Sequence, residues 1–149
     1  MAYTAIIAAA DLTTVIYQEI IDEITRSNDA IVTEAIDRAI EEVKSFLSRF
    51  DLDALFGNED ADTAATVTDK FLNGLLKDVA LWNLIKLANP NVNYEHIKGC
   101  YEDAIKTLTR IQKIQQTPAR WPLADPADVE VTQGNPVSFN SVAKRKNNW

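Results

Sequence analysis

Apolar residues recur at spacings of three and four over most of the chain, which places them on one face of a helix. Four stretches show this pattern, at residues 12–24, 32–50, 67–87 and 94–115. The second stretch is the most regular, with charged side chains falling mostly off its apolar stripe. The pattern predicts an all-α protein, built as a compact bundle of about four helices.

The third stretch is apolar on more than one face. A helix of this kind lies at the centre of a bundle or also serves as an assembly surface. We therefore expect it to contact several other helices. Its apolar residues are Phe71, Leu72, Leu75, Leu76, Val79, Leu81, Trp82, Leu84, Ile85 and Leu87.

Short polar residues mark the predicted helix boundaries. Asp11 or Thr13 is expected to cap the first helix, and Ser27 or Asp29 the second, which should end near Phe50. Residues 51–66 predict a tucked hydrophobic turn followed by a mobile, acidic loop. Proline and asparagine at residues 89–91 stop the third helix, and the Thr-Pro pair at 117–118 ends the fourth.

The last 31 residues have no helical period, and the pattern predicts an extended arm over residues 119–149 attached to a bundle over residues 1–118. Three large aromatic residues are spread along this arm: Trp121, Phe139 and Trp149. Val129 and Val131 alternate with polar residues, which is a weak strand signal. Isolated disordered tails seldom keep three large aromatic residues, so we expect the arm to dock on its own bundle or on a neighbouring subunit.

Charge is distributed unevenly. Residues 1–66 hold fourteen acidic and four basic side chains, whereas residues 67–149 hold eight acidic and eleven basic ones. Solvated helix faces explain such a division most simply, but it also permits head-to-tail pairing between copies. An overall net charge of −7 argues against binding DNA over the whole surface.

Residues that could support catalysis are scarce. His96 is the single histidine and Cys100 the single cysteine, four positions apart on one predicted helix face. A thiolate–imidazole pair is conceivable there, but a surface histidine and a small buried cysteine are the more ordinary interpretation. No disulfide can form within the chain, and a reducing compartment is the simplest setting.

Metal and cofactor sites are not predicted either. The acidic stretch from Asp51 to Asp62 fits no register of a calcium-binding EF-hand loop, and no Glu-x-x-His pair or glycine-rich phosphate loop is present. We expect a protein without catalytic activity or cofactor. No apolar run is long enough to span a bilayer, and no basic residue precedes the apolar N-terminal stretch, so neither membrane insertion nor export is expected.

The order of sequence features resembles a known family. An AADL entry leads to a short helix, then to DRAIEEVKSFLSRF running into DLDALF, an acidic loop, LLKDVALWNLIKL and YEDAIKTLTRIQ. This order is similar to the small helical head–tail connector proteins of tailed bacteriophages, of the Mu-like prophage head-completion type. The resemblance covers roughly residues 8–122. The arm from residue 124 onward is an extension relative to the family, and residues 60–66 lack the proline-rich sequence expected there.

The resemblance implies a structural virion protein assembled in the bacterial host cytoplasm. Such adaptors form a ring, usually of about twelve copies, beneath the portal protein. The ring extends the DNA channel without binding DNA specifically and docks the next neck or tail component. The residues expected to dock on a partner are Trp121, Phe139, Lys144, Arg145 and Trp149, and those expected to pack between copies are Leu81 and Trp82. The alternative is a soluble bacterial interaction or regulatory module that binds one protein through the third helix.

Overall fold

A computed structural model of the chain describes residues 2–88 and 95–125, called the described residues below. They form six helices and no strand, and the prediction of an all-α bundle is confirmed. Three long helices lie where the apolar pattern placed them, two short helices stand in place of the predicted first helix, and one short helix occupies the predicted hydrophobic turn. The helices are α1 (Ala9–Leu12), α2 (Gln18–Thr25), α3 (Asp29–Phe46), α4 (Leu52–Phe56), α5 (Lys70–Ala88) and α6 (Glu95–Gln112).

The core is built around the packing of α5 against α3. Ala35 and Ala39 on α3 and Ala80 on α5 are fully buried and small, so the two helix backbones can lie close together. α6 packs on the same pair, and α1 and α2 contact both α3 and α5. Of the two alternatives left open for the third apolar stretch, the packing of α5 agrees with a helix at the centre of the bundle. The largest fully buried side chains of these three helices are Val43, Leu72, Leu76, Leu84, Leu108 and Ile111, and burying each leucine or isoleucine contributes about 1.5–3 kcal/mol.

The first predicted helix is divided into α1 and α2. The hydroxyls of Thr13 and Thr14 donate to the carbonyl oxygens of Ala10 and Asp11, at 2.6 Å and 2.7 Å. Threonine side chains that bond to nearby backbone compete with the helical pattern. The chain therefore leaves the helix after Leu12 and enters α2 only at Gln18. The expectation of one continuous helix over residues 12–24 was wrong for this reason.

Helix α3 begins and ends at residues other than those predicted. Its N-cap is Asn28, whose side-chain oxygen accepts a hydrogen bond from the backbone N–H of Ala30 at 3.1 Å. The helix ends at Phe46, four residues before the expected end at Phe50. Phe50 is buried beyond the helix and forms an isolated bridge with Leu123.

The predicted hydrophobic turn is α4, which buries Leu55 and Phe56. Gly57 follows with a positive φ of 77°, and a Cβ at this position would lie 2.7 Å from the carbonyl oxygen of Thr63. Asn58 and Thr63 exchange two backbone hydrogen bonds of 2.9 Å. Glycine is therefore required where this loop folds back on itself.

Glu42 connects the three long helices. Its carboxylate accepts a hydrogen bond of 2.6 Å from the Tyr101 hydroxyl on α6 and one of 3.5 Å from the Asn83 amide on α5. The Tyr101 ring also stacks on Trp82, with ring centroids 5.6 Å apart. Burial and the bond to Glu42 raise the pKa of Tyr101 to about 12, so its hydroxyl remains a donor at every pH at which the protein is handled.

Replacing Tyr101 with phenylalanine should therefore destabilise the bundle. We expect Tyr101→Phe to lower the free energy of unfolding by about 1–2 kcal/mol, because a partly buried carboxylate loses its donor. Urea unfolding followed by circular dichroism measures the change. Tyr17→Phe is the matched control, since Tyr17 is 76% exposed, and an equal loss in both variants would contradict the role given to the Glu42 bond.

Trp121 is part of the core, with only 5% of its surface exposed. Its ring packs edge-on against Phe50, with centroids 5.3 Å apart, and lies 6.3 Å from the ring of Phe71. The indole N–H donates to the carboxylate of Asp69, just ahead of α5. This residue was expected to dock on a partner, and the structure instead places it against its own bundle.

The chain that follows Trp121 is also fixed to the bundle. The backbone N–H of Asp51 donates to the carbonyl of Pro122, and that of Ala124 donates to the carbonyl of Arg49, both at 3.0 Å. The first residues of the predicted arm thus belong to the bundle through at least Ala124. The rest of the arm, from residue 126, lies outside the described residues, as do the weak strand signal at Val129 and Val131 and the predicted helix stop at 89–91.

Trp121→Ala should destabilise the protein by about 3–5 kcal/mol, because it removes a buried aromatic side chain and leaves a cavity. Trp121→Phe should cost less, since a ring remains against Phe50 while the bond to Asp69 is lost. Equilibrium unfolding in urea measures both variants. Leu123→Ala is the control, because Leu123 is exposed; a Trp121→Ala variant as stable as this control would show that the tryptophan does not hold the bundle together.

Candidate interaction groove

An open groove lies between the turn that joins α1 to α2 and the helices α5 and α6. Its volume is about 430 Å³. Three separate parts of the chain form its walls, so no single sequence segment predicts it. The lining residues are Thr13, Thr14, Val15, Ile16, Tyr17, Ile20, Asp78, Leu81, His96, Ile97 and Cys100.

Apolar side chains form the floor and one lip of the groove. Leu81 is buried at the floor, whereas Val15 and Tyr17 on the lip are 44% and 76% exposed. Only five large apolar side chains among the described residues are exposed, and these are two of them. An open recess with exposed apolar side chains on its lip is typical of a binding surface.

His96 and Cys100 share the opposite wall, as their spacing predicted, with Nε2 and Sγ 3.9 Å apart. Burial raises the pKa of the Cys100 thiol, and the negative charges of Asp78 and Asp103 raise it further. A thiol with a raised pKa stays protonated at neutral pH and is a poor nucleophile. This wall is therefore better suited to contact than to nucleophilic catalysis.

Asp78 is the charged group within the groove. Burial raises the pKa of its carboxyl, and the neighbouring His96 lowers it by a smaller amount. The ion pairs among the described residues each join two side chains of one helix, and none includes Asp78. The groove thus presents one half-buried carboxylate that forms no ion pair in the described part of the chain.

A second groove, of about 460 Å³, lies between α3, α4 and the loop after Gly57 and is strongly acidic. Lys44 is its one basic lining residue, and its Nζ lies 3.0 Å from Glu41. No group of three or more metal-ligating side chains among the described residues is arranged to hold a metal ion. The carboxylates that line this second groove are Asp37, Glu41, Asp53, Glu59 and Asp60.

The residues predicted for assembly are found in different places. Leu81 lines the first groove, whereas Trp82 is half-buried and stacks on Tyr101. Trp121 is in the core. The remaining four predicted docking residues lie outside the described residues: Phe139, Lys144, Arg145 and Trp149.

Sequence reasoning missed the lip of the first groove. Residues 13–17 were assigned to a continuous helix, which would have turned some of them inward. The run Thr13-Thr14-Val15 is the signal that could have revealed the break, because three consecutive β-branched residues are poor helix formers.

Comparison of this chain with protein-family models, with curated proteins and with solved structures finds no match. No helix among the described residues is long and apolar enough to cross a membrane.

In a variant whose basic residues Lys144, Arg145 and Lys146 are replaced by glutamine, so that no cation of the arm can offset the burial of Asp78, Asp78→Asn should stabilise the protein at neutral pH. Because folding raises the pKa of Asp78, ionisation of this carboxyl destabilises the native state, and the penalty grows as pH rises from the unperturbed pKa to the raised pKa and is complete above it. We expect a higher melting temperature for Asp78→Asn at pH 7, and no gain below the pKa of an unperturbed aspartate, near pH 3.9.

Thermal unfolding followed across this pH range measures the effect. Asp37→Asn, at an exposed position within α3, is the matched control. A gain that does not depend on pH, or one that Asp37→Asn reproduces, would contradict the assignment of the penalty to a buried charge.

Proposed function

We propose that this protein is a structural subunit of a tailed-phage neck, a head–tail adaptor that forms a ring beneath the portal. The observation that carries the proposal is the open apolar groove with Val15 and Tyr17 exposed on its lip. Such a groove on a bundle packed this closely favours binding to another protein over binding to a small substrate. The position of the adaptor would be the head–tail interface of the virion.

The extent of the sequence resemblance supports this proposal. The resemblance covers roughly residues 8–122, and the helices and the Trp121 anchor fall within that range. Within that range lie, in order, the short helices α1 and α2, the long α3, the short α4, the apolar α5 and the last helix α6. Fold and sequence order are thus consistent with a connector subunit.

A ring forms when one surface of each copy contacts a different surface of the next copy and the rotation between neighbours closes the circle. In the proposed ring the groove is one of these surfaces, and Leu81 contributes to it as its floor. Trp82 acts from inside the subunit, through its stacking on Tyr101. About twelve copies are expected, to match the symmetry of the portal.

The acidic groove suits the surface turned toward DNA in the channel. Its five carboxylates repel phosphate over about 8–10 Å at physiological salt. Packaged DNA would then pass through the lumen without specific binding. The arm residues Phe139, Lys144, Arg145 and Trp149 are proposed to contact the portal or the next neck component, with Trp121 anchoring the base of the arm to its own bundle.

Mixing the purified protein with portal rings of the same phage tests this function. Native mass spectrometry should detect about one copy per portal subunit. A charge on the exposed lip should weaken attachment without unfolding the bundle, so Tyr17→Asp is expected to bind at least about tenfold less well, a change of roughly 1.4 kcal/mol.

The matched control is Ile114→Asp, since Ile114 is also an exposed apolar residue but does not line the groove. Equal binding of Tyr17→Asp and Ile114→Asp would show that the groove is not the interface. A native chain that ignores the portal and stays monomeric would reject the adaptor function.

A further inference from the structure

We infer that the groove between the α1–α2 turn and helices α5 and α6 binds residues 144–149 of this protein's own sequence. In this arrangement Trp149 enters the apolar recess and the basic run Lys144–Lys146 lies beside Asp78. The inference concerns the protein without its portal, and it does not depend on the proposed function.

The shape and chemistry of the recess suit one large aromatic side chain. Its volume of about 430 Å³ is near the lower end of ligand pockets, which run from about 300 to 1,000 Å³. Ile16, Ile20, Leu81 and Ile97 provide apolar surface for a ring. The oxygens of Thr13 and Asp78 can accept the indole N–H, which is the only polar group of a tryptophan side chain.

The charge of the groove favours a basic occupant. Asp78 is half-buried and has no ion pair within the described residues, so a cation placed beside it would offset the cost of its burial. The groups that face it from neighbouring elements are His96 and Cys100 on α6. The α1–α2 wall lines the groove with threonine, tyrosine and aliphatic side chains and contributes no charged group, and Lys77 donates to Thr14 at 3.1 Å.

The occupant needs a cationic run next to a large aromatic residue, and the sequence supplies this combination at 144–149, KRKNNW. Three consecutive basic residues occur nowhere else in the chain. They stand two residues from a tryptophan, close enough for both groups to reach one groove. No other segment outside the described residues offers both features.

The chain is long enough to make this contact. Residue 125 is held near Arg49 and Trp121 at the end of the bundle where α5 begins. Leu81 is twelve residues along α5 from Asp69, a rise of about 18 Å. The nineteen residues from 125 to 144 can extend over about 60 Å, so the segment can reach the groove of its own subunit or that of a neighbour.

The single native cysteine makes the inference testable in the full-length protein. Cys100 lines the groove, and a second cysteine at Asn148→Cys would lie beside Trp149. Under mild oxidation we expect Asn148→Cys to form a disulfide with Cys100 at least fivefold faster than Gln133→Cys, which places its cysteine outside the binding segment. Both variants use the same Cys100 thiol, so its raised pKa affects them equally.

Non-reducing gels and peptide mass spectrometry identify the bond. A disulfide within one chain and one between two chains both support the inference, since the same segment then occupies the groove. Adding Trp149→Ala to Asn148→Cys should slow the reaction severalfold. Asp78→Asn should slow it relative to Gln133→Cys carrying the same change, a comparison that corrects for the effect of Asp78 on the pKa of the Cys100 thiol. Equal rates for Asn148→Cys and Gln133→Cys, or no effect of Trp149→Ala, would overturn the inference. The inference would also be overturned if the native chain formed Cys100–Cys100 dimers as fast as Asn148→Cys forms its disulfide, because a second copy would then cover the groove.

Discussion

The close packing of α3 against α5 is the constraint on which the rest of the structure depends. Small, fully buried residues such as Ala39 and Ala80 let the two backbones approach, and large aliphatic side chains fill the space on either side. α6 is added to this pair partly through Glu42, which bonds to both α5 and α6. Trp121 packs at the end of the bundle where α3 ends and α5 begins. The central pair thus decides where every other element can lie.

The interaction groove is a consequence of how the N-terminal segment meets this framework. A continuous helix over residues 12–24 would present one regular face to the core. The threonine hydroxyl bonds instead interrupt it, so that Leu12 stays buried while Val15 and Tyr17 remain exposed. The interruption leaves a recess above Leu81. A local competition between side-chain and helical hydrogen bonds therefore accounts for this apolar groove.

Much of the fold could be predicted because it depends on local periodicity. Apolar residues recur every three or four positions in α3 and α6, and α5 has apolar residues on more than one face. The structure has these helices at those positions. The break in the helix after Leu12 does not change the spacing of the apolar residues, because it arises from hydrogen bonds of the threonine hydroxyl groups. The destination of Trp121 could not be predicted either, because its contacts with Phe50 and Asp69 join residues more than fifty positions apart. The groove required three such elements to be placed together. Leu81, His96 and Cys100 were singled out from sequence, but for separate roles and not as parts of one surface.

We propose that these features serve the assembly of a phage neck. The close packing gives a stable bundle, the first groove gives an apolar contact surface, and the acidic second groove suits a channel through which DNA passes. Electron cryomicroscopy of intact particles is the decisive measurement. We expect a ring of this chain beneath the portal, with the α1–α2 turn and α6 at a protein contact and the acidic groove toward the lumen. Particles whose neck contains no copy of this chain would contradict this proposal.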